Sequence, residues 1–152
     1  MVFEVLAAHV ESLGGVRSLD AKSLKGLDED ELARVSELLG AALPAAWKWW
    51  LSTYGVGIEF AEPVVYDDVI ARTDVMIGWF MTIDEMRETV ADVEDSLAAH
   101  RLPFNDDASG NYLLIDSDGA VSWYIHDALT DRNTKRVAPS FEDFLLMLRR
   151  GE

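Results

Sequence analysis

RLPFNDDASGNYLLIDSDGAVSWYIHD, residues 101–127, is the stretch whose reading decides the fold. Its two apolar runs, Tyr112–Ile115 and Ala120–Ile125, are rich in β-branched and aromatic residues, which suit a pleated, half-buried surface. Between them lies Asp116-Ser117-Asp118-Gly119. Asp-Gly supplies the positive φ angles of a tight turn, so the spacing predicts a β-hairpin over 111–125. Ahead of it, Leu102–Asp107 reads as an extended approach with a bend at Gly110-Asn111. This is the clearest β signal in the chain, and the helical segments read as its cover.

Working outward, residues 2–13 place Phe3, Leu6, Ala7, Val10 and Leu13 on one helical face, and Gly14-Gly15 stops that helix. Residues 16–27 are polar and read as a connection. Asp28 with Glu31 forms a capping-box pattern ahead of a helix that buries Leu32, Val35, Leu38 and Leu39 and ends at Gly40. Pro44 suits the first turn of a third helix, because its missing N–H has no partner there anyway. Trp47, Trp50, Leu51 and Tyr54 then share a core-facing stripe. Residues 57–66 predict an edge strand broken by Pro63, and 67–81 a loop followed by a strand. Thr82 with Glu85 repeats the capping box, opening a helix over 83–100 that buries Met86, Val90, Val93 and Leu97. Residues 128–136 read as a polar loop leading to a short strand near Arg136-Val137. Ser140 caps a last helix with Phe141, Phe144, Leu145 and Leu148 inward and Arg149-Arg150 against its negative dipole end. The expected fold is α+β: a small, mainly antiparallel sheet around the central hairpin, with helices packed on it. A length of 152 residues suits one domain over 1–152.

Half the residues, 49%, are apolar and five are Trp, which marks a folded globule. With no Cys there is no disulfide, thiolate nucleophile or Cys-ligated zinc. Neither a signal peptide nor a membrane span is legible, so a cytoplasmic location is expected. Charge is more informative. The chain holds 28 acidic and 13 basic residues; residues 49–131 hold 17 of the acids and only Arg72, Arg87 and Arg101, a net of −14. Such a field repels nucleic acid and anionic membrane and attracts basic partners, although acidity also serves solubility alone.

The usual catalytic patterns do not fit. Asp116-x-Asp118-Gly119 begins like a calcium loop, but the sixth and twelfth positions are Val121 and Asp127 where Gly and Glu are required. His126-Asp127 has no His or Glu at ligand spacing, and no P-loop, dinucleotide loop or nucleophile elbow is present. Asp106, Asp107, Asp116 and Asp127 can still converge as a carboxylate cluster, which leaves a carboxylate-dependent metal hydrolase as a remote alternative. The expectation is a non-catalytic protein with no cofactor and no metal.

Three motifs carry a family resemblance. The first is the hairpin region, with Leu102-Pro103-Phe104, Gly110-Asn111, a strand ending in Asp116 and another ending in His126-Asp127. The second is Leu43-Pro44-Ala45-Ala46-Trp47-Lys48-Trp49-Trp50-Leu51, and the third is Ser140-Phe141-Glu142-Asp143-Phe144-Leu145. In this order, over about residues 28–150, they resemble the SMI1/KNR4 (SUKH) superfamily, with the helix at 2–13 as an extension. Tyr54-Gly55-Val56-Gly57 departs from the Asn-Gly-Gly of many members. The resemblance implies an immunity protein that neutralises a cognate toxin by direct binding. Such toxins are often basic and act on nucleic acids. An intracellular regulatory adaptor or scaffold is the alternative, since other members have that role.

Candidate partner-binding residues follow from charge and periodicity. On the helix at 83–100, Glu88, Asp92 and Asp95 lie opposite the buried stripe. Glu88 and Asp92 are a like-charged i, i+4 pair, which disfavours a helix kept only for itself. Asp67, Asp68, Asp106 and Asp107 are expected beside them. Trp49 points away from its own helix's stripe, which fits either packing against the N-terminal helix or an exposed anchor.

Overall fold

The computed structural model describes residues 2–20, 22–68, 73–93, 100–125 and 134–151. Its main sheet runs in the order β1 (Val16–Ser18), β2 (Ile58–Phe60), β5 (Trp79–Phe80), β6 (Arg101–Asp106), β7 (Tyr112–Asp116), β8 (Val121–Tyr124) and β9 (Thr134–Ala138). Every pairing in it is antiparallel. A second antiparallel sheet joins β10 (Arg149–Arg150), β3 (Val64–Asp68) and β4 (Thr73–Met76). The helices are α1 (Val2–Ser12), α2 (Glu29–Leu39), α3 (Ala45–Thr53), α4 (Ile83–Val93) and α5 (Phe141–Met147). The class is α+β, as the patterning predicts.

The core is an aromatic cluster between sheet and helices. Phe80 and Phe104 of the main sheet meet Trp50 and Trp47 of α3 at centroid distances of 4.9 and 6.1 Å, and Phe141 and Phe144 of α5 each lie 6.0 Å from Phe104. Leu6, Val10 and Leu13 join the same buried cluster from the N-terminal segment. Burying such side chains contributes roughly 1.5–3 kcal/mol each, so this cluster is where the fold is held.

The hairpin forms as predicted, with Leu113 opposite Trp123 and Ile115 opposite Val121. Its turn differs in detail. Ser117, Asp118 and Gly119 make a three-residue loop in which Gly119 alone has positive φ, at 91°. The Asp116 carboxylate accepts from the Asp118 and Ala120 N–H groups at 2.9 and 3.1 Å, closing the turn with its own side chain. One strand earlier, the register slips between Pro103 and Asn105. Pro103 sits beside that bulge and beyond the end of the β5 ladder, which reaches only Asn105 and Asp106, so no pairing with β5 is asked of it.

Several expectations are revised. The main sheet is large, with seven strands. Residues 16–18 are a strand rather than part of a connection. The stretch 57–66 holds two strands in different sheets, and β2 lies between β1 and β5 instead of at an edge. The approach to the hairpin is the strand β6, paired with β5 and β7. α5 ends at Met147, and Arg149-Arg150 pairs with β3. His100, expected as the last helical residue, lies in a turn at φ 62°. Leu97 falls outside the described residues. For β1, β2 and β10 the pairing partners are far away in sequence, and local periodicity does not register them.

Candidate partner-binding surface

The surface grows out of the junction between β5 and α4. The Thr82–Glu85 capping box forms as read: the Glu85 N–H donates to Thr82 Oγ1 and the Thr82 N–H donates to Glu85 Oε1, both at 3.1 Å. The second oxygen of the same carboxylate, Oε2, accepts the Trp79 indole N–H at 3.0 Å. One glutamate therefore caps the helix and fixes the indole of the preceding strand.

β5 is drawn against β6 by two local devices. A Cβ on Gly78 would stand 1.6 Å from the Asp106 carbonyl oxygen, so only glycine lets the two backbones approach this closely. Asn105, 1% exposed, exchanges two hydrogen bonds with the Gly78 peptide. The result sets Trp79 directly opposite Asp106.

Asp106 is half-buried at the end of β6, and its Oδ1 accepts the Ala108 N–H at 2.8 Å. Burial pushes its carboxyl above the ordinary range; the Ala108 hydrogen bond opposes this, while the charges of Asp107 and Glu85 add to it. Asp107 is committed locally, its Oδ1 accepting from the Ser109 and Asn111 N–H groups at 2.8 and 3.3 Å. Glu88 is exposed on α4. Asp92 lies on α4, and Asp67 and Asp68 on β3 opposite Asp74 and Thr73; the side chains of these three are not among those described. Asp95 lies outside the described residues.

Trp49 has a different setting. Its ring stacks on Phe3 of α1 at 5.5 Å and 9°, and meets the edge of Tyr54 at 5.7 Å. Half-buried, it packs against the N-terminal helix, the first of its two readings.

The described carboxylates do not make a metal centre: no group of three or more His, Asp or Glu side chains is placed to hold an ion. Asp116, one of the four considered together, turns its carboxylate into the hairpin turn, and Asp127 lies outside the described residues. No helix among the described residues is long and apolar enough to cross a membrane.

The described order of elements, α2 and α3 leading into the antiparallel sheet and α5 closing over it, coincides with a family match. The SMI1/KNR4 family (SUKH-1) matches residues 26–147. The chain belongs to that family. A comparison with curated proteins finds no match. The SMI1/KNR4 match begins after α1 and β1, so both elements add to the matched region. β1 extends the main sheet beside β2, tied by Arg17 to Glu59 at 2.8 Å. α1 supplies the ring that covers Trp49.

Sequence reasoning did not find Trp79 and Glu85 as part of this surface. The capping box was the available signal for Glu85. Trp79 had none, because its nearness to Asp106 depends on residues 27 positions apart meeting in register.

Proposed function

We propose that this SMI1/KNR4 chain is a non-catalytic binding domain, an immunity protein that neutralises a basic, nucleic-acid-targeting toxin by direct contact. The observation that carries the reading is electrostatic. The region 49–131 has a net charge of −14, and inside it the half-buried Asp106 stands near Glu85 and Asp107 with no cation on it among the described ion pairs. Carboxylates grouped this way oppose one another in the free protein, and an incoming cationic surface relieves them. Family membership supports the reading, because the family is known for immunity proteins. A partner acting on nucleic acid presents a basic groove, and an acidic protein competes for it directly.

The test begins with co-purification and mass spectrometry to identify the partner. Association is then measured by stopped flow for the native protein and for Glu88→Lys, Asp92→Lys, Asp95→Lys combined. The variant is expected to keep its stability, to associate at least about tenfold more slowly at low salt, and to lose most of its salt dependence. An unchanged rate and salt slope would make this helix face a solubilising surface only. An adaptor role would be favoured by a partner with no toxic activity of its own.

A further inference from the structure

Directly paired residues on antiparallel strands project to the same face of a sheet. The register therefore sets Trp79, Asp106, Tyr112, Tyr124 and Thr134 in one transverse row across five strands of the main sheet. Their strand neighbours Phe80, Leu113 and Trp123 alternate to the other face, where Phe80 joins the aromatic core. The row thus lies on the sheet face opposite Phe80, with Tyr112 also packed against the core cluster and Tyr124 buried. Tyr112 and Tyr124 stack within it at 6.1 Å and 16°.

The position of Asp106 in this row is unusual for a carboxylate. It stands between two aromatic side chains, Trp79 on one side and Tyr112 on the other, and all three are half-buried. Its Oδ1 is used by the Ala108 N–H, whereas Oδ2 carries no hydrogen bond among the described residues. The indole N–H of Trp79 is already held by Glu85, which fixes the ring edge and leaves the ring's π face as its remaining means of recognition. An open carboxylate oxygen flanked by aromatic rings matches the chemistry of a guanidinium, which is planar, stacks on rings and donates to carboxylates. An ammonium is more strongly hydrated and stacks less well.

We propose that the Trp79–Asp106–Tyr112 row seats a single arginine side chain of a basic protein partner, its guanidinium lying against a ring and donating to Asp106 Oδ2. This rests on reading the chain as a binder of a basic partner, and it names where on the surface that partner is anchored. The surrounding negative charge of residues 49–131 brings the partner in; the row then distinguishes arginine from lysine.

The experiment uses the whole protein with hexa-arginine and hexa-lysine peptides of equal charge, followed by ¹H–¹⁵N spectra of the tryptophan indoles. The Trp79 resonance is assigned by its loss in Trp79→Phe. Hexa-arginine is expected to move that resonance saturably and to bind about fivefold more tightly than hexa-lysine. Asp106→Asn, which keeps an acceptor for Ala108, is expected to weaken hexa-arginine about tenfold and bring the two peptides level. If both peptides bind alike with the Trp79 indole unmoved, or if Asp106→Asn changes nothing, the seat is overturned while the acidic-surface reading stands. If neither peptide binds at low salt, the basic-partner reading falls along with the seat.

Discussion

Asn105 holds the Gly78 peptide at both of its polar groups: its Nδ2 donates to the Gly78 carbonyl and its Oδ1 accepts from the Gly78 N–H, each at 3.1 Å. A side-chain amide replaces a stretch of sheet ladder here, at the point where the strand order passes from β5 to β6. Leucine at 105 would leave the half-buried Gly78 N–H and C=O without their side-chain partner, so Asn105→Leu is expected to lower stability by about 1–3 kcal/mol. Urea denaturation with the slope held constant measures it. A loss below about 0.5 kcal/mol would mean that water satisfies Gly78 instead.

The hairpin turn gives a second expectation. Gly119 has φ 91°, and a Cβ there would lie 3.3 Å from the Pro44 side chain. Gly119→Val should cost about 1–3 kcal/mol, because a β-branched residue is strained at positive φ. An unchanged denaturation midpoint would contradict the turn geometry.

Ala108 is the converse case, an alanine at φ 71° in the exposed bend after β6. Glycine adopts that conformation without strain, so Ala108→Gly should raise stability by about 0.5–1 kcal/mol despite its greater unfolded-state freedom. Thermal unfolding of the single variant decides the sign.

The pH dependence follows from Asp106. Its carboxyl, raised chiefly by burial above the ordinary 3.8, binds a proton more tightly in the folded chain than in the unfolded one. That contribution is fully present below 3.8 and is lost as pH rises through the folded value. Asp106→Asn removes this titration. Its stability should fall less than that of the native protein as pH climbs from 3.8 toward neutrality. Melting temperatures across that range, for both proteins, supply the comparison; parallel curves would remove Asp106 as the source.

Much of this was legible in the residues themselves. The hairpin at 111–125, the capping boxes at Asp28 and Thr82, and the stripe of Trp47, Trp50 and Leu51 all depend on neighbours within a few positions, and all formed. β1 and β10 were not legible, because two or three residues carry no period and their strand character comes entirely from distant partners. The candidate surface divides the same way. Charge together with helical periodicity marked Glu88, and charge with an expected place beside that helix marked Asp106. The Trp79–Asp106 pairing needed a glycine whose reason for being glycine is a backbone 28 residues away.

The packing of α1 against α5 also governs the order in which the protein can be completed during synthesis. His9 Nε2 lies 3.1 Å from the Leu148 carbonyl oxygen, and Arg150 donates to the Ser12 carbonyl at 3.0 Å, contacts that span 139 and 138 positions. A ribosome delivers α1 well before its partner surface. Leu6, Val10 and Leu13 therefore wait without their final neighbours while the intervening chain is translated. Closure by such distant contacts comes late, because the entropy of closing so long a loop must be met before they form.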